Sequence, residues 1–155
     1  MCEQKPNTTA NQTACGSELH NSMEGKGTQQ FEEACEALQH FIGAPQKMAL
    51  AEVIDGEESQ FFVGKLNELA NIVSTMPKIY ETDGQGDEAI AHLHYFTAGF
   101  DWYITERDME EEQLQAFGLA CMFEKELGYI SIAELLRNGA ELDLHFVPKA
   151  IKSFR

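Results

Sequence analysis

Two histidines separated by one residue, His92 and His94, are the side chains of this chain most readily brought to common chemistry. They open the stretch HLHYFTAGFDWYITERD, His92 to Asp108, which also carries the sole tryptophan, Trp102. On a strand, residues two apart share a face, so both imidazoles would reach one ion or one anionic group. A metal centre needs a third ligand. Acid/base work needs a second titratable group within hydrogen-bond reach. For acid/base work the candidates are Tyr103, Glu106 and Arg107 on the following strand, and a third metal ligand could come from His145 nearer the C-terminal end.

Hairpin parity decides which of these can meet. With an even number of loop residues, His92, His94 and Phe96 share a face with Tyr103, Thr105 and Arg107, and Glu106 lies opposite. An odd loop or a bulge brings Glu106 round to the histidines. Two-residue turns are the commonest, so the even arrangement is favoured, and it makes a poor metal site. His145 would join only if sheet order allowed it. The plainer reading is that all three histidines are ordinary strand residues with hydrogen-bond partners.

Other motifs carry weaker signals. Glu106 and Arg107 could act as a catalytic acid and an anion clamp, or simply form a solvated strand end or an edge salt bridge. Glu124, Glu126 and Glu134 match no known carboxylate spacing for a cation. Trp102, Tyr103, Tyr129 and Phe96 read as core or half-core aromatics rather than as the lining of a groove. Cys121 sits in an apolar pattern without a basic neighbour and reads as a small buried hydrophobe, not a nucleophile. No serine lies in a nucleophile elbow and no glycine loop has a phosphate-binding pattern.

The elements that would position these residues divide the chain by period. Residues 1–27 are polar and read as a disordered tail. Thr28 is a plausible cap for a helix through Phe31, Ala34, Cys35, Leu38 and Phe41-Ile42, ended by Gly43-Ala44-Pro45. A short helix follows over 47–54. Phe61-Phe62, Lys65-Leu66, Leu69-Ala70, Ile72-Val73 and Met76 then repeat at 3.6 residues up to Pro77, with Gly64 implying close packing against a neighbour. Glu81 to Asp87 reads as a mobile acidic loop.

From Ala89 the period becomes two. Ala89–Thr97 is apolar on both faces, as in a central strand, and Asp101–Arg107 has high β propensity. Gln115–Phe123 fits helix or strand, and Gly118 favours strand. Ser131 and Glu134 form a capping box for a helix ending at Asn138-Gly139. Glu141–Phe146 alternates strictly, with Leu142, Leu144 and Phe146 inward. Helices followed by close-spaced strands predict α+β: an antiparallel sheet from the C-terminal half packed on N-terminal helices, one domain over 28–155.

Composition narrows the function classes. The chain has 155 residues and a net charge of −15. Between Glu81 and Asp143, fifteen acidic side chains face only Arg107, Lys125 and Arg137. Such a field repels phosphate backbones, so direct nucleic-acid binding is not expected; it favours cations or a basic protein partner. No apolar run approaches the ~20 residues of a membrane span. Cys2, Cys15, Cys35 and Cys121 form no CxxC pair, which suits a reducing cytoplasm better than a disulfide framework or a zinc ribbon. No cofactor motif is present.

From Ile90 onward the chain resembles a family of small bacterial proteins catalogued as a domain of unknown function, found on plasmids, phages and integrative elements. The resemblance rests on His94-Tyr95-Phe96-Thr97, Asp101-Trp102-Tyr103-Ile104-Thr105-Glu106 and Phe117-Gly118-Leu119. It continues through Glu126-Leu127-Gly128-Tyr129-Ile130-Ser131, Ala133-Glu134-Leu135, Glu141-Leu142-Asp143-Leu144-His145-Phe146 and Pro148. Ala98 stands where the family turn often has proline. The resemblance implies a mobile-element context and a compact α+β domain, and no particular reaction. The function expected from charge and resemblance together is non-enzymatic: an acidic surface that engages a basic DNA-handling protein by imitating DNA. The alternative is a metal-dependent or acid/base enzyme centred on His92 and His94.

Overall fold

A computed structural model describes the backbone of residues 15–155, with side chains described from residue 25. The first helix, α1, runs Cys15–Ala37, so the start expected at Thr28 is corrected: the glycines at 25 and 27 do not break it. The first fourteen residues of the expected tail lie outside the described residues. Phe31, Ala34 and Cys35 form the buried stripe of α1, and Leu38, just past its end, continues it. Pro45 does not end a helix. It lies in the first turn of α2, Ala44–Val53, where a missing N–H costs nothing.

The strongest 3.6-residue pattern becomes α3, Ser59–Thr75, which buries Val63, Leu66, Leu69 and Val73 and packs on α1. Met76 turns extended at φ −64, ψ 152, as a residue before proline must. Gly64 is not a contact point. A Cβ there would meet nothing within 4 Å, so the close packing expected of it is absent.

The second half folds as a five-stranded antiparallel sheet, in the order β5-β4-β3-β2-β6, from strands β2 Leu93–Thr97, β3 Phe100–Glu106, β4 Ala116–Cys121, β5 Lys125–Ile130 and β6 Glu141–Leu142. A separate two-stranded ribbon pairs β1, Ile90–Ala91, with β7, Lys149–Ala150. Helix α4, Ile132–Arg137, starts at Ser131, whose Oγ accepts from the Glu134 N–H at 3.2 Å. It ends at Asn138, before Gly139 at φ +82. The α+β architecture is the one the change of period predicts, and Gln115–Phe123 resolves to strand.

Each sheet face has its own cover. Leu93, Tyr95, Trp102, Ile104, Ala116, Ile130 and Leu142 pack with the buried faces of α1 and α3 in one continuous core. The Tyr95 hydroxyl, fully buried, donates to the Phe41 carbonyl at 2.8 Å and ties sheet to helices. On the opposite face Tyr103, Leu119, Cys121 and Leu127 are covered by Ala91, Phe146, Ile151 and Phe154.

Two local departures shape this second face. The pairing of β3 with β4 slips by one residue between Ile104 and Glu106, a bulge that leaves Thr105 as the extra residue. Gly118 lies opposite it. A Cβ on Gly118 would run into the Tyr103 carbonyl oxygen and stand 2.9 Å from the Ile104 Cα, so only glycine lets the two strands approach here. The second departure is at Asp143. The alternating run Glu141–Phe146 is a strand only over Glu141–Leu142, because the Asp143 side chain accepts from the His145 N–H at 2.9 Å and turns the chain. Leu144 then packs into the helix-side core and Phe146 onto the other face.

Candidate functional site

The β2–β3 turn contains two residues, Ala98 and Gly99, with Gly99 at φ +95. His94 therefore stands opposite Tyr103, and Phe96 opposite Asp101, as the even parity requires. The His94 ring stacks on Tyr103 at 4.7 Å between centroids, and Tyr103 stacks on Phe154 at 3.9 Å. Each His94 nitrogen has its own carboxylate: Nδ1 lies 3.0 Å from Asp143 Oδ2, and Nε2 lies 2.8 Å from Asp101 Oδ1. Carboxylates only accept, so both contacts are hydrogen bonds only when the ring carries a proton on each nitrogen. Burial, then Asp101, Cys121 and Asp143, push the Tyr103 hydroxyl up. This is a tight, satisfied cluster, with no ring nitrogen left for a metal or a substrate proton.

The other candidates go elsewhere. His92 lies between β1 and β2 rather than within one strand. Its N–H donates to the Ile104 carbonyl at 2.8 Å, and burial pushes its imidazole below the ordinary range. The strand is interrupted at His92, so the two histidines do not lie on one continuous strand as expected. His145 is exposed and stacks on Phe61 of α3 at 5.9 Å. Only its backbone approaches the His94 cluster, through Asp143. Among the described residues, no group of three or more His, Cys, Asp or Glu is placed to hold a metal ion.

Glu106 and Arg107 are parted, so the pairing of an acid with an anion clamp is corrected. The bulge sets Glu106 opposite Phe117, on the same face as Tyr103. Its side chain is 4% exposed and turns to the segment before β1 rather than to a histidine. Oε1 accepts from the Thr82 N–H and the Thr82 hydroxyl, both at 2.6 Å, and Oε2 accepts from the Tyr80 N–H at 3.0 Å. Arg107 instead lines a cavity on the helix side with His40, Val73 and Glu111, and its buried Nε has no hydrogen-bond partner among the described residues. The expected mobile loop at 81–87 is thus pinned at its start by a buried carboxylate. Tyr80 is held at φ 73, a left-handed backbone that costs a non-glycine residue about 1–2 kcal/mol.

Glu106 lines a cavity of about 340 Å³, whose walls include Ile79, Phe117, Leu127 and Tyr129 and whose rim carries Tyr80 and Asp83. Tyr80 is 65% exposed and Tyr129 55% exposed, and their hydroxyls lie 3.5 Å apart. The Tyr129 hydroxyl is pushed up first by that contact with Tyr80, and further by the negative charges of Glu106 and Asp83. Among the described residues, no lysine or arginine lines this cavity.

Sequence reasoning missed Tyr80 and Thr82, because nothing local links them to Glu106 more than twenty residues on. It also read Tyr129 as a core aromatic, whereas the sheet register leaves it on the open part of the second face. Cys121 is half-buried, and burial foremost pushes its thiol up, as suits an inert side chain. Glu124, Glu126 and Glu134 are exposed. No described helix is long and apolar enough to cross a membrane.

No protein-family model matches the chain, and no curated protein or solved structure matches it.

Proposed function

We propose that this chain is an acidic accessory protein of a bacterial mobile element, acting in the cytoplasm through protein–protein interaction. Its carboxylate surface imitates DNA and occupies the basic cleft of a nuclease or another DNA-handling protein. One observation carries the reading. Of the acidic side chains between Glu81 and Asp143, all but Asp101, Glu106, Asp108 and Asp143 are exposed. Among the described residues, lysine or arginine neutralises only Asp87 and Glu88 of that set, through Arg155 and Lys152. An uncompensated field of this kind steers a basic surface toward it and repels nucleic acid itself. The mobile-element context rests on the resemblance of the segment after Ile90.

The reading is tested by capture from a bacterial lysate at low salt, followed by elution with salt and with duplex DNA. Expected is a basic DNA-handling protein that DNA displaces. Recovery of none, or capture indifferent to salt, would overturn it.

The alternative, a metal-dependent or acid/base enzyme centred on His92 and His94, has less support. His94 has both nitrogens occupied by Asp101 and Asp143, and neither His92 nor Glu106 is bonded to it. Metal analysis of protein purified without an affinity tag tests it directly: stoichiometric metal lost on replacing His94 would revive this reading.

A further inference from the structure

We propose that the cavity between Tyr80, Tyr129 and Glu106 is a receptor for an arginine side chain of the basic partner. The inference deepens the reading above and rests on it for the source of the cation.

Three features of the cavity converge on this ligand. First, its wall holds a carboxylate whose charge no lysine or arginine among the described residues offsets. Glu106 is buried and receives three hydrogen bonds, from the Tyr80 N–H, the Thr82 N–H and the Thr82 hydroxyl. A carboxylate offers about four acceptor positions, so room remains for one further donor. Second, the mouth is aromatic. Two largely exposed tyrosines lean together there, with Phe117 and Leu127 behind them, and a planar cation stacks on such rings while its stem covers the apolar wall. Third, the only other charged group among the lining residues is Asp83 at the rim. A cavity of about 340 Å³ lies at the small end of ligand sites, suited to one side chain rather than to a large cofactor.

The backbone adds a reason to regard the site as built. Glu106 holds the N–H of Tyr80 and that of Thr82 across the left-handed residue, and strain of this sort concentrates at ligand clamps. Gly84 and Gly86, at φ 80 and 51, continue the loop around the cavity. Guanidinium is favoured over ammonium because it can stack on a tyrosine while donating to Glu106 and Asp83 from the same plane.

The test uses the full chain, with amide chemical shifts recorded by NMR. The probes are acetyl-arginine methylamide and its citrulline, lysine and norleucine counterparts. The arginine probe is expected to shift the amides of Tyr80, Gly84, Gly86 and Tyr129 saturably. The citrulline probe, the same shape without charge, should bind at least about tenfold more weakly, and norleucine more weakly still. Tyr129→Ala, at an exposed position that tolerates change, should weaken the arginine probe by about fivefold or more. Asp83→Asn should weaken it by less.

Equal binding of arginine and citrulline probes, absence of saturable shifts, or indifference to Tyr129→Ala would each overturn the assignment. The two readings fail separately. If a basic partner is captured at low salt while no probe binds, the receptor falls and the acidic interface stands. If the arginine probe binds while no basic partner is captured, the cavity recognises a free cation, and the partner reading falls.

Discussion

Replacing Glu106 with glutamine should release Tyr80 and leave Thr82 held. The carboxylate gives one oxygen to Thr82 N–H and hydroxyl and the other to Tyr80 N–H. Glutamine keeps a single oxygen. Aimed at Thr82 it preserves two contacts and turns an NH₂ group toward the Tyr80 donor. The reverse orientation keeps the Tyr80 contact and lets the Thr82 hydroxyl accept instead, but it gives up the Thr82 N–H at 2.6 Å, shorter than the 3.0 Å Tyr80 contact, and is the worse choice. One charge-assisted hydrogen bond to a buried group contributes about 1.5–3 kcal/mol. The cheaper burial of a neutral amide offsets part of this, leaving about 2 kcal/mol against the closed segment. The strain at Tyr80 is common to both chains, so it cancels in the difference; it fixes the direction of movement, out of φ 73 toward ordinary backbone. Native-state hydrogen exchange reads the change residue by residue: about 2 kcal/mol corresponds to roughly 30-fold faster exchange at Tyr80, with Thr82 much less affected. The urea midpoint should move by less than this local change, because the opening is confined to one segment. Unchanged exchange at Tyr80, or an equal loss at Thr82, would refute the assignment of these hydrogen bonds.

Three further outcomes follow from packing and burial. Gly118→Ala places a methyl against the Tyr103 carbonyl oxygen, far inside contact distance, and should cost at least about 3 kcal/mol; a urea midpoint within error of the parent would show that the bulge relaxes freely. Tyr95→Phe strips a buried donor from the Phe41 carbonyl and should cost about 1–3 kcal/mol with an unchanged denaturant slope. Burial holds the His92 imidazole below its ordinary value, so the unfolded chain takes up that proton first. The stability His92 contributes is complete above about pH 6.5 and is lost as pH falls through it toward the lower folded value. His92→Gln should flatten stability against pH across this window, and urea unfolding from about pH 7.5 down to pH 5 checks it; an identical slope would place His92 in water.

Much of the fold was legible because period and punctuation agree. The 3.6-residue pattern of α3 stops at Pro77, the Ser131–Glu134 cap starts α4, and the change to period two after Ala89 marks the sheet. The pairing of His94 with Tyr103 was legible for the same reason, since a two-residue turn allows only that parity. Asp101 could have been found from it: it sits diagonally across the hairpin on the face of His94, within reach of a long side chain. Asp143 carries a readable signal too, as an aspartate able to accept from the backbone two residues on. The bulge at Thr105 was not legible. It arises from how β3 meets β4, and Gly118 hints at it only once the two strands are known to be neighbours. Without the bulge Glu106 would face the helices, and the cavity would have no buried carboxylate. Pro45 misled because proline marks both a stop and a first turn, and only the extended Gly43 before it separates the two.

The β1–β7 ribbon sets an order of assembly. Strands β2 to β5 follow one another along the chain and zip through near neighbours. Ile90, by contrast, must wait for Ala150, closing a loop of about sixty residues against chain entropy. The ring stack of Phe154 on Tyr103 depends on that same late closure. The second sheet face therefore stays bare until the ribbon closes over it. Amides of the ribbon should exchange ahead of the sheet, and the brief interval before it closes is when unfolded copies are most prone to stick to one another through Tyr103, Leu119 and Leu127.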